Sequence, residues 1–156
     1  MVINISDLKR IVGDIVEQFD HKNLNLDTPY FTHQIPTTEN LAKLFFELIK
    51  ANLPEAIILT SVKLYEDSDL YVEYRPTVVE FVRRYRFSAS HRLFNNKFSS
   101  EENLRIFGKC SNPNGHGHNY YLDVFVKGQI DDDTGMVYDM VKLDRHVADI
   151  IQEYDH

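Results

Sequence analysis

The sequence predicts an α+β protein, an antiparallel four-stranded sheet with helices packed on one face. Three segments place apolar residues at a 3.6-residue period, and four others alternate apolar and polar residues at period two. The 156 residues, 43% of them hydrophobic, suffice for one domain with a real core and are too few for two sizeable ones.

The first helix is expected from about Ser6 to Phe19, with Leu8, Ile11, Val12, Ile15, Val16 and Phe19 on its apolar side and Ser6-Asp7 as start signals. It ends at Asp20-His21. A loop through Pro29 and Pro36 leads to a second helix near Thr37-Thr38-Glu39-Asn40, where a threonine can cap free N–H groups; Leu41, Leu44, Phe45, Leu48 and Ile49 form its stripe and Pro54 closes it. Strands follow at about 57–65 and 70–74, separated by Glu66-Asp-Ser-Asp69, and then a long one over 78–91. A loop of some two dozen residues comes next, a length that points to function rather than connection. The fourth strand spans about 119–127 and a last helix about 143–154.

The chemistry concentrates in Cys110-Ser-Asn-Pro-Asn-Gly-His116-Gly-His118-Asn-Tyr120. Residues i and i+2 of a strand point to the same face, so His116 and His118 can grip one ion, with Gly115 and Gly117 leaving room for it. His91 is the best third ligand: Val79, Phe81, Tyr85, Phe87, Ala89 and His91 share one parity, and the histidine ends that largely apolar face. Tyr120, Leu122, Val124 and Val126 share the parity of the other two histidines, which puts the metal at the end of the apolar layer. Three neutral histidines with an open fourth position suit catalytic zinc, whereas structural zinc takes four protein ligands, often cysteines. Cys110 is the single cysteine, so no intramolecular disulfide can form and a reduced, cytoplasmic compartment fits. It can be a small buried hydrophobe. Its polar loop, Lys109 and a nearby cation favour a reactive thiolate instead.

A formal net charge of −7 argues against nucleic acid as a general partner and leaves a phosphorylated small molecule open. No apolar run approaches a membrane span, and the N-terminus has no secretory leader pattern.

Residues 136–156, Met136-Val-Tyr-Asp through Glu-Tyr-Asp-His156, align without gaps to residues 1–21, Met1-Val-Ile-Asn through Gln-Phe-Asp-His21, at an offset of 135. A repeat at both ends implies a unit of that length read from its middle to its middle, with a joint near Arg75-Pro76-Thr77.

Phe87-Ser-Ala-Ser-His91-Arg-Leu, Glu101-Glu-Asn-Leu-Arg-Ile-Phe-Gly-Lys-Cys110, Asn112-Pro-Asn-Gly-His-Gly-His-Asn-Tyr120 and Asp133-Thr-Gly-Met-Val resemble the N-terminal part of the 6-pyruvoyltetrahydropterin synthase family, of the tunnelling fold. Asp20-His21-Lys-Asn-Leu, Pro36-Thr-Thr-Glu-Asn and Leu64-Tyr-Glu66 resemble its C-terminal part. The single composite domain therefore carries the halves in swapped order, residues 1–75 before 76–156, as in a piece of a tandem fusion or a circular permutant. The resemblance implies a zinc triad of His91, His116 and His118, a catalytic Cys110, and an aspartate–histidine pair at Asp20 and His21, with Asp155 and His156 as a second copy. It implies pterin contacts from Thr37, Thr38 and Glu66, although a helix cap or a solvated strand end also explains those residues. The implied reaction converts 7,8-dihydroneopterin triphosphate to 6-pyruvoyltetrahydropterin and triphosphate, with Zn2+ as Lewis acid. Rivals are a 6-carboxytetrahydropterin synthase, whose cysteine sits closer to the His-Gly-His, an inactive zinc- or pterin-binding module, and a fragment whose two helix copies compete for one docking place. The resemblance also implies a homo-oligomer, a trimer or hexamer built by sheets joining edge to edge into rings.

Overall fold

The computed structural model describes residues 3–155. Its elements are α1 (Ile5–Val16), α2 (Thr38–Asn52), β1 (Val62–Tyr65), β2 (Leu70–Arg75), β3 (Val78–His91), α3 (Ser100–Phe107), a 3-10 turn (Gly108–Ser111), β4 (His116–Gly128) and α4 (Met140–Ile151). The strands form one sheet in the order β1-β2-β3-β4, with β1–β2 and β2–β3 antiparallel. This is the α+β architecture that the two periodicities predict. The chain divides into two compact units, one of residues up to Arg83 with Val124–Asp139, the other of Arg84–Asp123 with the residues from Met140 onward.

In the first unit, Asn4 caps α1 by accepting the Ser6 N–H at 2.9 Å, a start two residues earlier than Ser6-Asp7 suggests. The α-helix stops at Val16. The N–H groups of Gln18 and Phe19 bond back three residues, to Ile15 and Val16, so the end tightens into a turn that still carries Phe19 inward. Ile15 and Phe19 are buried with Phe31, Phe45 and Ile49, and the Phe19 ring stacks on Tyr30 at 5.5 Å and meets Phe45 edge-on at 5.0 Å. α2 is capped by Thr37, whose Oγ1 accepts the Asn40 N–H at 3.2 Å. Its other face sets Phe46, 1% exposed, against Tyr74 at a ring separation of 5.3 Å. Truncating such a phenylalanine to alanine costs about 3–5 kcal/mol.

β1 is shorter than the expected 57–65. Its register pairs Val62 with Tyr74, which would set Ser61 opposite Arg75 and Thr60 opposite Pro76, in the turn that opens β3. Proline has no N–H to give a ladder, so pairing ends there. β3 covers the whole of 78–91 as expected.

In the second unit, Arg84 forks onto Asp123 with bonds of 2.7 and 2.9 Å, linking β3 to β4 and holding the Asp123 carboxyl below its usual range. α4 is fastened by the Tyr85 hydroxyl donating to Asp144 and by Asp155 accepting the Ser88 N–H, each at 2.8 Å. The two dozen residues after His91 are not a structureless loop. Ser99 and Glu102 form a reciprocal capping box that starts α3, and the side chain of Asn103, 1% exposed, bonds Asn95, Phe98 and Ser99. β4 begins at His116, three residues before its expected start, so both histidines lie within the strand.

Candidate metal centre

His91 is the last residue of β3, and His116 and His118 are the first and third of β4. The sequence parity holds: one ligand nitrogen from each of the three rings lies within 4.8 Å of the others. Nε2 of His91 is 3.2 Å from Nε2 of His116. Tetrahedral zinc with Zn–N bonds of about 2.0–2.1 Å separates neighbouring nitrogens by about 3.3 Å, so the rings already stand at ligand spacing. Their centroids are 4.7, 4.7 and 4.9 Å apart and their planes are steeply inclined, which aims the nitrogens at a common point instead of stacking the rings. Desolvation, followed by repulsion from His118 and His91, holds His116 below the usual histidine pKa. That favours the neutral imidazole, the form that ligates metal.

Gly115 is a requirement of this geometry. It has φ +67°, and a Cβ there would lie 2.9 Å from the His91 carbonyl oxygen, so the backbone of the incoming strand passes directly against the end of β3. Gly117 is different: a Cβ on it meets nothing within 4 Å.

Tyr120 belongs to the centre and was not singled out in the sequence as more than an apolar position. Its ring stacks on Phe87 at 5.0 Å and its hydroxyl lies 3.3 Å from Nδ1 of His91, leaving Nε2 of that ring turned toward the other histidines. Such an outer partner fixes ring orientation and tautomer. The signal that could have found it is its i+2 relation to His118.

Cys110 is a half-buried free thiol in the 3-10 turn and is not among the gathered ligand atoms. Its turn is tied to the two residues after His91, because the Leu93 N–H donates to the Cys110 carbonyl at 2.9 Å and Arg92 Nε donates to the Ser111 carbonyl at 2.8 Å.

The remaining site residues lie in the first unit. Thr38 donates its hydroxyl hydrogen to Oε2 of Glu66, bringing two of the expected pterin contacts together. Thr37 caps α2 and also donates to the Gly135 carbonyl at 2.6 Å. Glu39, next to Thr38 in sequence and absent from the sequence-based candidates, is 4% exposed and accepts the Val137 N–H at 3.1 Å. Burial foremost, with repulsion from Glu66, raises its carboxyl above the ordinary value despite that bond. Asp20 and His21 sit in the turn after α1, with Oδ2 and Nε2 3.7 Å apart, the His21 side chain 95% exposed and its φ at +56°. At that distance the two groups do not make the hydrogen bond that would fix the ring. Of the second copy, Asp155 is engaged with Ser88, and His156 lies outside the described residues.

The sheet thus brings three histidines from two strand ends to one point, a group that could hold a metal ion. The comparisons make this more specific. The family described as 6-pyruvoyl tetrahydropterin synthase matches twice, over residues 1–77 and 80–156, and the chain belongs to that family. It is 56% identical over 75 residues to the 6-pyruvoyl tetrahydrobiopterin synthase of Pongo abelii, covering 47% of this chain and 52% of the relative. It is 55% identical over 75 residues to the Homo sapiens protein of the same name, with the same coverage. The solved structure of Caenorhabditis elegans 6-pyruvoyl tetrahydropterin synthase matches with 46% identity and a TM-score of 0.49, over 51% of this chain and 56% of that one. The chain thus spans about half the length of the curated relatives it matches. Among the described residues no helix is long and apolar enough to cross a membrane.

Proposed function

We propose that this chain carries the site of a zinc-dependent 6-pyruvoyltetrahydropterin synthase, converting 7,8-dihydroneopterin triphosphate to 6-pyruvoyltetrahydropterin and triphosphate. The observation that carries the reading is the three-histidine cluster at metal-ligand spacing, in a chain of this family. His91, His116 and His118 would hold the ion, which supplies Lewis acidity toward substrate oxygens.

The chain's own residues have separable tasks. The Thr38–Glu66 pair offers a carboxylate that can take two parallel N–H bonds from the aminopyrimidine edge of a pterin, with the threonine fixing the carboxylate. Cys110, as thiolate, takes a proton from a side-chain carbon, and His21 with Asp20 moves a second proton. Triphosphate departs with the electron pair of its C–O bond and the carbon that bore it becomes a methyl group as the neighbouring hydroxyl carbon becomes a carbonyl; the other hydroxyl carbon becomes a carbonyl as the ring takes up its two electrons and two protons. Reactant and product therefore balance without nicotinamide. The two half-length matches, the repeat of residues 1–21 at 136–156 and the joint at Arg75-Pro76-Thr77 support one composite domain with the family's halves in swapped order. Self-association into rings, a trimer or hexamer, would satisfy the open strand edges.

Mass spectrometry of products from the zinc-loaded chain and the triphosphate substrate, beside a chelator-treated control, tests the reading. A zinc-dependent pyruvoyl product with intact triphosphate is expected. Acetaldehyde with a carboxy product assigns the carboxy synthase reaction instead, and zinc binding without turnover leaves a binding module.

A further inference from the structure

The repeated segments fold alike: α1 covers Ile5–Val16 and α4 covers Met140–Ile151, the same stretch at the offset of 135 residues. They bury different stripes. In α1 and the turn that follows it, Ile15 and Phe19 are 4% and 8% exposed, packed with Phe45 and Ile49 of α2, while Leu8 and Val12 are half-buried. In α4 the counterparts of the latter two, Leu143 and Val147, are each 8% exposed. The counterparts of the former two, Ile150 and Tyr154, stand 61% and 63% exposed. α4 therefore leaves uncovered the stripe that its own copy, α1, buries against α2.

We propose that this face of α4 docks on the Phe45/Ile49 face of α2 in a second copy of the chain, taking the place of that copy's α1. The occupant follows from the molecule itself, since the same residue pattern already sits on α2 in every copy. Position for position, Ile150 replaces Ile15 and the ring of Tyr154 replaces that of Phe19. α4 is also the better helix former, with Ala148 where α1 has Gly13. A seated α4 buries both of its stripes at once, which α1 does not do. The released α1 is a twelve-residue helix, too short to persist alone in water. Because the surface given and the surface received differ, the contact is head-to-tail and propagates until a ring closes. One helix is gained and one lost at each contact, so the exchange depends on protein concentration.

Light scattering of the full chain over a range of concentrations is the first arm. The mass is expected to rise with concentration, and Ile150→Lys to shift that rise to at least tenfold higher concentration. Ile58→Lys, at a position 85% exposed and outside both helices, should leave it unchanged. In the second arm, chains carrying Ile150→Cys and chains carrying Ile49→Cys are mixed, oxidised and digested. A peptide linking positions 49 and 150 between chains is expected. A chain monomeric at every concentration overturns the proposal. So does an oligomer indifferent to Ile150→Lys and free of the 49–150 link, which would mean association through strand edges.

Discussion

The hydroxyl of Tyr120 lies 3.3 Å from Nδ1 of His91, the nitrogen on the far side of that ring from His116. The stack of Tyr120 on Phe87 holds the hydroxyl in place, so the orientation of His91 rests on an aromatic pair between its own strand and β4. Tyr120→Phe preserves the stack and deletes the partner. Zinc affinity, measured by competition with a chromogenic chelator, should fall about tenfold, the lower end of what such outer-shell losses cost. Unchanged affinity would show that the sheet alone orients the ring.

Glu66 and Thr38 should separate binding from metal chemistry. Glu66→Gln removes the charge that strengthens a paired N–H contact, worth about 1.5–3 kcal/mol, so affinity for a pterin should drop roughly 10- to 100-fold. Thr38→Ser keeps the hydroxyl that bonds Glu66 and should bind nearly as the parent does. Fluorescence titration with neopterin reads both, and zinc content should be the same in all three chains. Equal pterin affinity in the Gln variant would remove Glu66 from the site.

Much of this was legible in the residues. The parity of β3 and β4 named all three histidines, because a strand's period of two leaves no freedom about which side chains share a face. Thr37 was legible as a cap, and its capping bond is present. What failed to show was whatever depends on a partner distant in sequence. Residues 57–60 look like strand but run past the end of β2, where Pro76 turns the chain. Glu39 looks like an ordinary first-turn acid until the Val137 segment covers it. The region after His91 was a different failure: Ser99-x-x-Glu102 is a local start signal for α3, hidden by the surrounding Asn, Ser and Lys residues that read as loop.

Glu39 makes stability depend on pH in a defined direction. Its folded-state pKa is raised, chiefly by burial, above the 4.5 of the free group. Between those two values the folded chain holds a proton that the unfolded chain has lost, so this group's contribution to stability rises as pH falls through that window and is weakest above it. Glu39→Gln keeps an oxygen to accept the Val137 N–H and buries no charge. The variant should therefore gain on the parent at pH 7, with the gain shrinking toward pH 4.5. Urea denaturation at several pH values checks this, and a difference that does not vary with pH would mean that Glu39 does not titrate in this range.

The two glycines that bracket His116 should respond unequally to the same substitution. Gly115 combines a left-handed φ of +67° with a would-be Cβ contact of 2.9 Å to the His91 carbonyl oxygen, whereas Gly117 faces open space. Forcing an alanine into the left-handed region costs about 1–2 kcal/mol, and the contact with the backbone must also be relieved by moving one strand end away from the other. That movement separates His91 from His116, whose nitrogens stand 3.2 Å apart, at the spacing one ion requires. Gly115→Ala should therefore lower zinc affinity at least tenfold with every ligand still present, and Gly117→Ala should leave it within about twofold. Metal titration of the two variants side by side is the measurement. Equal losses would place the effect in strand flexibility, and no loss in Gly115→Ala would mean that the strand ends can part without disturbing the centre.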